Sequence, residues 1–134
     1  KKREMFKMDF GVKEGLKNVK EYVVEHKDTA DAVGNKGINV LSSPTMILWI
    51  EQTCLEAVKP LLPEGYETVG TVFNFLHLAA TPVGQKVRVE AELTKVEKGK
   101  VLTFDIKVFD EKGKICKGTH GRAIVNKEQF FGNL

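Results

Sequence analysis

Glu51 is a carboxylate in apolar company. The run from Pro44 to Leu62 (PTMILWIEQTCLEAVKPLL) reads as one long helix, and on a helix each residue touches those three and four positions away. For Glu51 these are Ile47, Leu48, Cys54 and Leu55, all apolar. Glu56 on the same helix is the control, because its neighbours Gln52, Thr53, Lys59 and Pro60 make a polar stripe. Glu56 is therefore expected in solvent and Glu51 on the buried face. Carboxylates are rarely buried without a partner, and apolar surroundings disfavour their charged form. Such a group suits a general base or a nucleophile. The alternative is a carboxylate buried for structure and satisfied by backbone amides or a histidine.

Other residues could share that chemistry. His77 lies in the apolar phrase Phe75-Leu76-His77-Leu78-Ala79, where it is either a satisfied core histidine or a group that moves protons. Ser43 precedes Pro44 and fits an N-cap followed by proline at the first helical position. A hydroxyl in that place can also do chemistry. Gly70 lets a backbone N–H approach a substrate oxygen, or marks a strand bulge. His120 and Arg122 are two apart on one strand and share a face. The three histidines are too scattered for a metal site, and His26, beside Lys27 and Asp28, is assigned no role. With no G-x-S-x-G elbow, P-loop or dinucleotide glycine fingerprint, nothing calls for a cofactor.

The elements that must position these residues follow from periodicity. The N-terminal part, Met5 to Glu25, alternates at Phe6, Met8, Phe10 and Val12 and again over Val19 to Val24, suggesting one or two strands broken at Glu14-Gly15. Asp28 to Ile38 is expected to be loop. After Pro60 and Pro63 close the helix, the period changes to that of strands. Thr68 to Leu78 is rich in β-branched and aromatic residues. Val87, Val89, Ala91 and Leu93 alternate with polar residues, and so do Leu102, Phe104, Ile106 and Val108. Turns at Glu97–Lys100 and Asp110–Gly113 separate these from a last strand over Ile115 to Val125. A long apolar helix followed by four antiparallel strands implies an α+β fold in which a curved sheet wraps the helix. No linker or repeat divides the chain, so residues 1–134 read as one domain.

Composition narrows the partners. A net charge of +3 from 21 basic and 18 acidic residues is spread rather than clustered and gives no footprint for nucleic acid. The longest apolar stretch, Met46 to Ile50, is far too short to span a membrane. Two cysteines, Cys54 and Cys116, make neither a disulfide framework nor a metal site, so a reducing cytoplasm is expected. An exposed sheet edge attracts a partner strand.

Three motifs then converge. The segments NVLSSPTMILWIEQTCLEAV, GTVFNFLHLAATPVGQKVRVEAEL and GTHGRAIV resemble, in order and spacing, the hotdog-fold thioesterases, in particular the fluoroacetyl-CoA thioesterase-like branch. The likeness runs from about Asp28 to Phe130. It implies a hydrolase of acyl-coenzyme A thioesters, active as a homodimer or higher oligomer with sites at the subunit interface. The family's catalytic hydroxyl matches Ser43, its helix glutamate Glu51 and its strand histidine His77. Its glycine near the reacting carbonyl matches Gly70, and its last-strand arginine matches Arg122. Two features depart: serine stands where threonine is usual and is followed by Pro44 rather than glycine. The phenylalanine lid of the fluoroacetyl-specific enzyme also has no counterpart, since Ala32 to Ile38 holds no aromatic residue and Gly37 falls at the lid position. Two other readings stay open: a non-catalytic acyl-CoA-binding domain, and a hotdog hydratase or dehydratase, although no Asp and His are placed as those enzymes have them.

Overall fold

The computed structural model describes residues 9–134. Strand β1 spans Lys17–Val23, helix α1 Ser43–Val58, and strands β2 to β5 span Tyr66–His77, Lys86–Glu97, Val101–Phe109 and Lys114–Asn126; a short helix α2, Lys127–Gly132, follows. All strand pairs are antiparallel and form one five-stranded sheet in the order β1-β3-β4-β5-β2. The α+β fold and the four strands after the helix are as expected, with β1 completing the sheet. Phe10 and Val12 lie outside any strand, and the expected alternation at Phe6 and Met8 lies outside the described residues.

The alternation in β3 and β4 exists because one face of each strand meets the helix. Val87, Val89, Leu93, Leu102, Phe104, Ile106 and Val108 are fully buried, and α1 answers with Met46, Trp49, Ile50, Thr53, Cys54 and Val58 at helical spacing. A stacked pair, Tyr22 on Trp49 with ring centroids 4.5 Å apart, ties β1 to the helix. Burial of each large aliphatic side chain in this layer stabilises the fold by roughly 2 kcal/mol. The α-helix ends at Val58, short of the expected Leu62, and tightens into a 3-10 turn over Lys59–Leu61 because Pro60 cannot continue the i to i−4 ladder.

The helix start differs from expectation by one residue. Ser42, not Ser43, is the N-cap: it is buried, its backbone is extended, and its Oγ accepts from the Thr45 N–H at 3.2 Å. Ser43 therefore occupies the first helical position with its hydroxyl free for other partners.

β2 is an edge strand with a bulge. The register passes from Gly70 opposite Arg122 to Val72 opposite Gly121, leaving Thr71 as the extra residue. Beyond the bulge the strand exposes Val72, Phe73, Leu76 and, just past its end, Leu78, each about half accessible. Gly118 on β5 is compelled by this strand, since a Cβ there would collide with the backbone oxygen of Asn74.

Candidate active site

Two polar groups stand out, one at each end of the same helix–strand pair. At the start of α1, Ser43 Oγ lies 2.7 Å from His77 Nδ1 at the end of β2. Burial lowers the His77 pKa from its ordinary 6.5, partly offset by the Ala79 backbone, so the ring is held neutral and can accept a proton. The other ring nitrogen, Nε2, is buried and makes no hydrogen bond among the described residues. The pair opens into a cavity of about 560 Å³ whose walls include Val33, Ile38, Val40, Leu41, Leu78 and Ala80. Ala30 to Ile38, expected as loop, is a succession of turns that supplies part of this wall.

Further along α1, Glu51 meets the second group. Its Oε2 accepts from Arg122 NH1 at 3.3 Å. The expectation of a buried carboxylate in apolar surroundings is thus corrected. The Glu51 side chain is 33% exposed, because neighbouring Leu48 lies at the surface while Ile47 and Leu55 are only half-buried. The carboxylate leans instead on a cation and on bare backbone. A Cβ on Gly70 would stand 2.6 Å from Glu51 Oε2 and 2.7 Å from the Phe73 ring. Glycine at position 70 therefore makes room for the carboxylate, and the bulge beside it turns β2 away.

Arg122 is held on every side. Its Nε donates to Thr68 Oγ1 at 2.8 Å, its NH2 to the Thr68 carbonyl at 2.9 Å, and its NH1 also reaches His120 Nε2 at 3.1 Å. His120 completes the chain through Nδ1, 2.8 Å from the Val72 carbonyl in the bulge. The shared face of His120 and Arg122 is as expected from their spacing. Sequence reasoning did not single out the part played by Thr68, nor that of His120; the H-x-R pairing on one face of β5 was the available signal. Cys54, one turn from Glu51, is inert: burial pushes its thiol up to about 12.

The two groups do not meet within one chain. Eight helical residues separate Ser43 from Glu51, a rise of about 12 Å. On β2, seven residues separate Gly70, against which Glu51 lies, from His77, roughly 23 Å of strand. His26 stands apart from both, 3.2 Å from Asp31 at the surface. Among the described residues no group of three or more His, Cys, Asp or Glu side chains is gathered where a metal ion could sit, and no helix is long and apolar enough to cross a membrane.

The division of labour between the two serines is testable. Ser42→Ala removes the cap and is expected to cost about 1 kcal/mol in chemical denaturation. Ser43→Ala, which removes no cap, should leave the unfolding free energy within about 0.5 kcal/mol of the native value. Equal destabilisation by both would reassign the cap.

Known proteins share this fold. The family model described as fluoroacetyl-CoA-specific thioesterase matches residues 24–128. The fluoroacetyl-CoA thioesterase of Streptantibioticus cattleyicolor is 37% identical over 91 residues, 68% of this chain and 65% of the relative, so the match spans somewhat less than two thirds of that protein. A solved structure of the fluoroacetyl-CoA thioesterase FlK superposes with a TM-score of 0.85 at 30% identity, covering 92% of this chain and 95% of the other. A hot-dog-like protein from Thermanaerovibrio acidaminovorans, 23% identical, superposes equally well, with a TM-score of 0.85 over 94% of each chain. The chain has the hotdog fold and belongs to the fluoroacetyl-CoA-specific thioesterase family.

Proposed function

We propose that this protein hydrolyses an acyl-CoA thioester to a carboxylic acid and free coenzyme A, in sites that two copies of the chain build together. The observation that carries this reading is the Ser43–His77 pair at the mouth of an apolar cavity, in a chain of a thioesterase family. An acyl group has a wall of aliphatic side chains to lie against there, and the thioester carbonyl then falls near the N-terminal end of α1, whose partial positive charge suits a developing oxyanion.

Glu51 is the missing carboxylate, and its distance from His77 within one chain is the reason for two copies. β2 is an unpaired edge with an apolar flank, and such an edge is completed by another strand. Antiparallel pairing of two β2 strands about a two-fold axis between Phe73 and Asn74 would lay His77 of one copy opposite Gly70 of the other. Glu51 of that second copy then reaches the Ser43–His77 pair, and the buried His77 Nε2 gains a neighbour of the right chemistry. A buried unsatisfied nitrogen costs about 1–3 kcal/mol, which favours this pairing over an isolated chain.

In the reaction, Glu51 either removes a proton from the attacking water or attacks the carbonyl itself, forming an acyl intermediate that water opens. Ser43 holds the water. The C–S bond breaks with its electron pair on sulfur, and a proton returned through His77 neutralises the thiolate. Arg122 binds and orients Glu51, and Gly70 gives the carbonyl close access to backbone. The absence of an aromatic residue in Ala32 to Ile38 leaves Val33 and Ile38 to contact the acyl group, so aliphatic acyl chains larger than the fluoroacetyl group fit this wall.

The test is thiol release from short, branched, aromatic and long acyl-CoAs. Turnover concentrated on aliphatic acyl groups supports the reading. Binding of acyl-CoA without turnover of any member would make this a binding domain.

A further inference from the structure

We infer that His120 is a positioning residue for Glu51, acting through Arg122 as a neutral imidazole of fixed tautomer. This rests on the thioesterase reading above for its catalytic consequence, and on geometry alone for the tautomer.

The tautomer follows from the partners. The Val72 carbonyl can only accept, so the nitrogen 2.8 Å from it, Nδ1, carries the hydrogen. The Arg122 guanidinium can only donate, so Nε2, 3.1 Å from NH1, presents its lone pair. An imidazolium would set an N–H against an N–H and a positive charge against another. Burial lowers the His120 pKa, offset in part by the Val72 carbonyl and the Glu51 charge, while the Arg122 charge adds to the lowering; the net direction agrees with that geometry. The other charged group facing the ring is Glu51 on α1. Its register partners on β2 and β4 are Phe73 and Phe104, and the Phe73 and Phe75 rings lie 5.0 and 6.0 Å from it.

This neutral acceptor determines how Arg122 meets Glu51. Thr68 occupies Nε and NH2, and His120 takes one of the two hydrogens on NH1. The guanidinium meets the carboxylate through NH1 alone, rather than through the two-pronged fork that would bind it hardest. Glu51 receives a single, long hydrogen bond on Oε2. Its Oε1 takes none among the described residues and is left for the substrate side. His120 thus links the β2 bulge, through Val72, to the arginine that aims the carboxylate.

Two measurements test this. In protein labelled with nitrogen-15 at histidine, the ring shifts and couplings report tautomer without any turnover. The expected result is a neutral, Nδ1-protonated His120 at pH 7; an Nε2-protonated ring, or an imidazolium at pH 7, overturns the inference. In kinetics, His120→Gln restores an acceptor toward Arg122, whereas His120→Asn keeps only a donor toward Val72. The Asn variant is expected to lose about a hundredfold in kcat with KM nearly unchanged, as for a misplaced catalytic group, and the Gln variant much less. Equal kcat in both variants and the native protein would also overturn it. A native protein that hydrolyses no acyl-CoA would refute the thioesterase reading while the nitrogen-15 result still decides the tautomer.

Discussion

Glu51→Gln is expected to lower kcat by about a thousandfold or more, the range lost when a general base or nucleophile is removed, while affinity for the acyl-CoA changes only a few-fold. The substitution keeps the shape that fits beside Gly70, where a Cβ would stand 2.6 Å from Oε2, and keeps an oxygen that can accept from Arg122. The side chain at position 51 is a third exposed and Arg122 keeps its bonds to Thr68 and His120, so the fold should survive. Thiol release gives kcat, and calorimetry with a thioether analogue that cannot be cleaved gives affinity. A variant that keeps a tenth of native turnover would remove Glu51 from the reacting groups. A variant that loses affinity and kcat together would make it a binding residue.

Most of the fold was legible because its layers are simple. Val87 to Leu93 and Leu102 to Val108 alternate without interruption, and each buried position faces one helix. The Asp110 turn was equally plain: its Oδ1 accepts from the Lys112 and Gly113 amides at 2.8 and 3.1 Å, the local bonding that makes aspartate a turn residue. The cap slipped by one residue because Ser42 and Ser43 are both competent, and the choice depends on which one the fold buries. That choice leaves the Ser43 hydroxyl for His77.

The candidate site was legible as residue types but not as an arrangement. Glu51, His77 and Arg122 could be named from local sequence, yet the environment expected for Glu51 was wrong. Helical neighbours alone cannot reveal that Arg122, 71 residues away, arrives at the carboxylate. Nor do they show that the sheet leaves Leu48 uncovered on the same side. Thr68 and the part played by His120 were missed for the same reason: their roles arise only when β2 and β5 pair with the bulge at Thr71. The separation of Ser43–His77 from Glu51 is likewise a property of the folded chain.

The second large effect is a recovery. Glu51→Gln and His77→Ala chains, each essentially inactive alone, are expected to regain activity when unfolded together and refolded, or when co-expressed. In a mixed pair, one site joins the intact Glu51 of one copy to the intact His77 of the other, and the second site carries both lesions. With random pairing, half of the dimers are mixed and half of their sites are whole, so about a quarter of native turnover should return. That measurement, thiol release by the mixed variants on the best acyl-CoA substrate, tests most directly whether two chains build the site. Recovery near a quarter is the result expected; mixtures no more active than either variant alone would place the whole reaction within a single chain and contradict it.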